Sequence, residues 1–541
     1  MPADDPPGGS AGAPGNTPGS NGANGEPDFR SRIGRSTIPP MLHDPAERER
    51  LGMQGDENSL NEFVIELNLL YKDGVEQATP RFQKLYAGTV KSGGPPEWIS
   101  KTYFRCSMSL VDARALVHAD EREARDRAGP KGDASRERLI YKLWPDFKVH
   151  ALIDRSVATV KADAAYRSYA ASGAGIVWAV LDSGIDAMHP HFGNPANPLT
   201  HTLLHPMVAG LHRDFTSGAA PIDQQMGGAA SAALKDEFGH GTHVAGIIAG
   251  GLRETVPPES IAVYEQVFSA DDATPATKHR VERSVPNLTA LHGVAPDCRI
   301  VSLRVLDASG TGRASDIIRA LQFIRSDLNG DPKLLRVHGV NLSVGYEFDA
   351  EMFACGQSPL CVEVDRLVNN GVVVVVAAGN TGYGRVSAEQ RTTKVGLSNT
   401  INDPGNAALA ITVGATHRDS PHMYGVSYFS SKGPTSDGRI KPDLVAPGER
   451  ITSCATPAHL TRLGVDPPEP GQCAYIDDSG TSMAAPHVSG AVAAFLSIRR
   501  EFILQPDVVK RIFLDSATPL GRERYFEGRG LVDLMRAIQS V

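Results

Sequence analysis

Between residues 175 and 416 the chain repeats one pattern: a short, almost purely apolar run, a Gly-rich turn, then a stretch with helical spacing. The runs are GIVWAVLDSG (175–184), RIVSLRVLD (299–307), VHGVNLSVG (337–345), GVVVVVAAGN (371–380) and AALAITVGAT (407–416). A strand with one face in water alternates apolar and polar residues. These runs do not alternate, so both of their faces must be covered. HVAGIIAGG (243–251), ASDIIRALQFIRSD (314–327) and a segment near 361–370 supply the helices. The pattern restricts the fold to α/β, a mostly parallel central sheet with helices on both faces. In such sheets reactive groups collect beyond the carboxyl ends of strands. Asp182, Asn380 and the loop leading to His240 fall there.

The run IDDSGTSMAAPHVSGAVAAF (476–495) joins a crowd of hydroxyls to a small-residue helix. At its threshold either Thr481 or Ser482 merely caps a buried helix, or Ser482 is a nucleophile. A neutral hydroxyl attacks poorly and needs a base to take its proton. His240, in FGHGTHVAG (238–246), is the candidate base. Asp182, in VLDSGID, would orient the imidazole and stabilise its cation. Asn380, in VVVAAGN, offers an amide donor to a developing oxyanion. The first N–H groups of the helix have no partner within it and add to that field. Pro486 is expected in the first helical turn, where it forfeits no intrahelical bond. His240 and His243 are spaced as a metal pair could be, but the accompanying H-E-x-x-H pattern is absent.

Taken in order, VLDSGID, GHGTHVAG, VVVAAGN and SGTSMAAPHVSG resemble the subtilisin-like serine peptidases, over roughly residues 170–541. The resemblance implies peptide-bond hydrolysis through an acyl-enzyme. Asp182, His240 and Ser482 would be the triad, Asn380 the oxyanion residue and His243 a packing residue. NLSVG (341–345) resembles the strand that pairs with substrate backbone, which assigns Ser343, Val344 and Gly345 to substrate binding. No cofactor is required for that chemistry. In many relatives an Asp soon after the triad aspartate helps hold a structural calcium. His191 stands there in DSGIDAMHPHF, and the long segment 252–295 replaces the calcium loop. That site is therefore doubted, and structural calcium elsewhere stays open. Two alternatives stand beside hydrolysis: a peptide ligase or cyclase using the same acyl-enzyme, and a catalytically silent peptide-binding protein.

The 541 residues exceed one ordinary domain. Residues 1–58, rich in Gly, Pro and charge, read as a disordered tail. Residues 59–155 read as a small α+β domain of strand–helix–strand–helix–strand order, with a Pro-Asp hairpin turn at 145–146 and a solvated charged stretch at 119–138. This domain resembles the family's propeptide, an inhibitor and folding aid. Residues 156–541 form the catalytic domain. Self-cleavage is expected between about 150 and 160, with KVHALIDRS (148–156) as the propeptide tail in the active groove. Segments 193–235, 252–295 and 384–406 read as long loops.

The net charge of -8 and pI near 6.1 argue against a nucleic-acid partner. No membrane partner is expected, since no 18-residue apolar span is apparent. The N-terminus lacks a basic start and an apolar run, so a cytoplasmic location is expected, with non-standard export as the alternative. Six cysteines leave Cys355/Cys361 and Cys454/Cys473 open as pairs. Expected partners are protein or peptide substrates, the chain's own N-terminal domain as inhibitor, and a regulatory protein gating the active form.

Overall fold

The computed structural model describes residues 37–45, 48, 53–129, 132, 134–145, 155–216, 232–252, 257, 260–269, 277–283, 290–331, 333–351, 354–388, 391–469 and 472–541. The chain forms two compact units, one within residues 1–149 and one within 150–541.

In the first unit, β1 (Leu60–Leu67), β2 (Glu97–Trp98), β3 (Tyr103–Ser109) and β4 (Ile140–Pro145) form an antiparallel sheet of order β2-β3-β1-β4. Helices α1 (Val75–Thr89) and α2 (Leu110–Ala128) follow β1 and β3. β1 buries Phe63, Ile65 and Leu67 and leaves the residues between them half-buried, the period of a strand with one covered face. Ser109 caps α2 by accepting from the Asp112 N–H at 3.1 Å. Ile38 and Leu42 are buried in this core, although the sequence places them in a tail. The stretch 119–138 is not wholly solvated either. Asp120 is fully buried and accepts from the Arg138 guanidinium (2.7 Å) and the Leu139 N–H (2.9 Å). A buried carboxylate is tolerated only with such partners. The turn expected at 145–146 and most of KVHALIDRS lie outside the described residues.

The second unit is built on seven parallel strands in the order β15-β14-β11-β10-β5-β9-β6. Here β5 is Val177–Asp182, β6 Arg213–Asp214, β9 Arg299–Arg304, β10 Gly339–Leu342, β11 Val373–Ala377, β14 Ile411–His417 and β15 Leu444–Glu449. Every residue of β5 is buried. Trp178 and Val180 join a core shared with α3 (His240–Ile248) and α6 (Thr481–Ile498). Val177, Ala179 and Leu181 join a second core with α4 (Ala314–Phe323) and α5 (Pro359–Asn369). Helices thus cover both faces, as the unbroken apolar runs require. Each fully buried Val or Leu in these cores contributes about 1.5–3 kcal/mol.

α6 is the central helix. Its length and apolarity alone would let it cross a membrane, yet 83% of it is buried inside the unit. Small residues let it pack closely: a Cβ on Gly490 would stand 2.6 Å from Val294 Cβ. All three expected loops contain strands: 193–235 carries β6 at the edge of the parallel sheet. The segment 252–295 carries the hairpin β7 (Ile261–Ser269) and β8 (Thr277–Glu282), which joins β16 (Ile451–Ala455) and β17 (Cys473–Asp478) in a second sheet. The segment 384–406 carries much of the hairpin β12 (Tyr383–Ala388) and β13 (Arg391–Gly396). Neither hairpin shows the continuous apolar run that made the central strands legible.

Candidate active site

β5 lies between β10 and β9, where the strand order reverses, and it ends on Asp182. Such a reversal leaves a crevice beyond the strand ends. Asp182 is 1% exposed and accepts from the Ser183 N–H at 2.8 Å. α3 begins on His240, whose Nδ1 lies 2.8 and 3.0 Å from the two Asp182 oxygens. A carboxylate there makes Nδ1 the protonated nitrogen and leaves Nε2 as acceptor. Burial alone would lower the His240 pKa. The charge of Asp182 and its hydrogen bond outweigh burial, and the net shift is upward.

The approach of α3 to β5 depends on Gly241. A Cβ there would stand 2.1 Å from the Gly184 carbonyl oxygen and 3.0 Å from Asp182 Cβ. Asp236, which the sequence reading missed, holds the junction. Its carboxylate accepts from Ser183 Oγ (2.8 Å), the Gly239 N–H (2.7 Å) and the Thr242 N–H (2.8 Å). The available signal is an Asp four residues ahead of His240, where a loop turns into a helix.

Ser482 is the second residue of α6. Its Oγ donates to the Ser343 carbonyl at 3.0 Å, and Ser343 Oγ donates to the Ser482 carbonyl at 2.8 Å. Among the described residues no hydrogen bond joins Ser482 Oγ to His240, but both line one groove of about 530 Å³ with Asn380 and Ser343–Gly345. The helix starts at Thr481, so Pro486 is its sixth residue and lies in the second turn, not the first. It does forfeit a helical bond, the one to the Ser482 carbonyl four residues back.

Asn380 lies three residues beyond β11. Its Oδ1 accepts from the Thr481 N–H (2.9 Å) and Thr481 Oγ1 (3.1 Å), which leaves Nδ2 as the free end of the amide. Thr481, weighed from the sequence only as a cap, makes no side-chain cap and serves Asn380 instead. A Cβ on Gly480 would stand 3.3 Å from Asn380 Nδ2 and 3.6 Å from the Ser482 nitrogen, so these two donors flank one small space. Ser343, Val344 and Gly345 follow the last residue of β10. The next residue, Tyr346, pairs with Asp403 at 2.9 and 3.0 Å. The backbone groups of Val344 and Gly345 have no protein partner among the described residues.

His243 is buried, with Nε2 3.0 Å from the Ile476 carbonyl, and burial pushes its pKa down to about 3. Its ring meets the His459 ring edge-on, with centroids 5.5 Å apart. His191 is likewise buried. Its Nδ1 lies 3.0 Å from the Tyr475 hydroxyl and its Nε2 3.1 Å from the Ala249 carbonyl. Among the described residues no group of three or more His, Cys, Asp or Glu is placed to hold a metal ion. All six cysteines are free thiols.

A profile of the subtilase family, Peptidase_S8, matches residues 173–531. Pyrolysin of Pyrococcus furiosus is 32% identical over 345 residues, 56% of this chain; the match spans only 21% of pyrolysin's own length. Serine protease AprX of Bacillus subtilis is 28% identical over 381 residues, 69% of this chain and 68% of AprX. Subtilisin E of the same species is 26% identical over 383 residues, 71% of this chain and 70% of that protein.

Proposed function

The chain belongs to the subtilase family and is a serine endopeptidase, and we propose that Asp182, His240 and Ser482 are its triad and Asn380 its oxyanion donor. The observation that carries the reading is the Asp182–His240 pair at 2.8 Å, in one groove with Ser482 and Asn380. An extended substrate pairs with the free backbone groups of Val344 and Gly345, as an added strand does. Ser482 Oγ turns from the Ser343 carbonyl, attacks the substrate carbonyl carbon and passes its proton to His240 Nε2. Asp182 stabilises the resulting imidazolium. The oxyanion sits in the space beside Gly480, between Asn380 Nδ2 and the Ser482 N–H. Collapse expels the amine, which takes the proton from His240 and leaves an ester on Ser482. Water, deprotonated by the same imidazole, attacks the ester and releases the acid.

The unit within residues 1–149 acts, on this reading, as inhibitor and folding aid, removed by self-cleavage between about 150 and 160. Its support is the order β1–α1–β3–α2–β4 of that unit, to which the two-residue β2 is added ahead of β3. The test is intact mass over time for the full chain and its Ser482→Ala variant. The parent is expected to lose about 150–160 N-terminal residues while the variant stays whole. Two intact proteins, or two cut ones, would reject Ser482-dependent maturation. Product masses in the presence of an added amine separate hydrolysis from ligation.

A further inference from the structure

Pro486 takes from α6 the N–H that would bond the Ser482 carbonyl, yet that carbonyl is paired. Ser343 Oγ donates to it at 2.8 Å. Ser343 Oγ itself accepts from Asn341 Nδ2 at 2.9 Å, and Asn341 Oδ1 accepts from Ser489 Oγ at 2.8 Å. Asn341 and Ser489 are fully buried and Ser343 is 5% exposed. A buried polar chain of this kind is stable only when its members are satisfied, and then it fixes geometry strongly.

The placement of the three side chains gives the relay its leverage. Asn341 lies on β10, in register between Val180 and Val375 at the centre of the sheet. Ser489 lies two turns beyond Ser482 on the same side of α6. The relay therefore grips α6 at two successive levels from one strand. The strand continues directly into Val344 and Gly345. An ordinary residue at position 486 would tie the Ser482 carbonyl to its own helix. With proline there, the carbonyl is tied to the substrate strand instead.

We infer that Asn341, Ser343 and Ser489 are positioning residues: the Ser343 hydroxyl replaces the helical N–H lost at Pro486 and sets the Ser482 peptide plane against the substrate strand. That plane, shared by the Ser482 carbonyl and the Met483 nitrogen, anchors the Cα from which the Ser482 side chain points. The inference rests on the reading of Ser482 as nucleophile. It concerns the Ser343 side chain, whereas substrate pairing uses backbone groups.

The test is a double-mutant cycle on the full chain with Ser343→Ala and Pro486→Ala. Removing the Ser343 hydroxyl is expected to lower kcat about tenfold with KM changed less than about twofold. In the Pro486→Ala background the new backbone N–H serves the Ser482 carbonyl, and the same change should cost less than about threefold. Ser489→Ala should lower kcat in the same direction by less. A second cycle, in the Ser482→Ala background, is read by the urea midpoint and needs no activity. There Ser343→Ala should lower the midpoint more with Pro486 than without it. Equal effects of Ser343→Ala in both backgrounds, in kcat and in the urea midpoint, would overturn the relay. Activity retained by Ser482→Ala would overturn the nucleophile reading instead, while the urea cycle still decides the relay.

Discussion

His240 can accept a proton only when neutral, and Asp182 holds its pKa above the ordinary value of about 6.5. The sign follows directly. As pH falls through that raised value His240 becomes cationic, and kcat/KM declines on an acid limb centred above about 6.5. Asp182→Asn removes the charge, so the limb should move to lower pH. It also reverses the tautomer, and kcat should fall on the order of 10⁴-fold. Profiles of both proteins on a peptide ester check this; coincident limbs would count against Asp182 as the partner. The places of Asp182, His240, Asn380 and Ser482 were legible because Asp182 and Asn380 close apolar runs and His240 and Ser482 open small-residue helices. Asp236 and Thr481 were not, because Asp236 ties the turn just after it to the distant Ser183 and Thr481 serves the distant Asn380. The Ser343 hydroxyl was hidden more deeply, since its role depends on the helix register that puts Pro486 in the second turn.

α3 and β5 meet where no side chain fits. Gly241→Ala would drive a methyl group into the Gly184 carbonyl, so α3 must shift away from Asp182. A misplacement near 1 Å costs on the order of 10²-fold in rate. The expected outcome is a kcat loss of about that size, with KM little changed and stability lower by about 1–3 kcal/mol. Steady-state kinetics with a urea titration check it; an unchanged kcat would mean that the contact has slack. Elements varied in how readable they were, for a physical reason. Strands covered on both faces are apolar throughout, so β5, β9, β10, β11 and β14 stand out. The β7–β8 and β12–β13 hairpins are partly solvated and mixed in composition, and they read as loops. Ile38 and Leu42 are isolated apolar residues in a polar segment, and only their contacts reveal that they belong to a core.

Across the unit within 150–541, burial holds several histidines neutral. His191 and His243 are pushed down to about 3, and His212, His338 and His487 to about 4. The unfolded chain binds these protons from about pH 6.5 downward while the folded unit does not. Stability therefore falls as pH drops from about 6.5 toward about 4, by up to about 1.4 kcal/mol per pH unit for each group. His240, shifted the other way, opposes this with a single group. The Ser482→Ala chain should show a level Tm between about pH 8 and 7 and a steep decline below about 6.5; a level Tm down to about pH 4.5 would refute it.

The sheet also orders events during synthesis. α6 packs against β10, β11, β14 and β15 and covers Val373, Val375, Ile411 and Val413. A ribosome makes those strands, and the Asp182 and His240 segments, before it makes α6. Until α6 arrives, one face of the sheet is bare and its core cannot close. α6 carries Ser482, the proposed nucleophile, and segments made later still, which bear Val509, Phe513, Leu534 and Ile538, close the same core. With Ser482 as the proposed nucleophile, a growing chain has no cutting edge until α6 and the segments that close its core have been made.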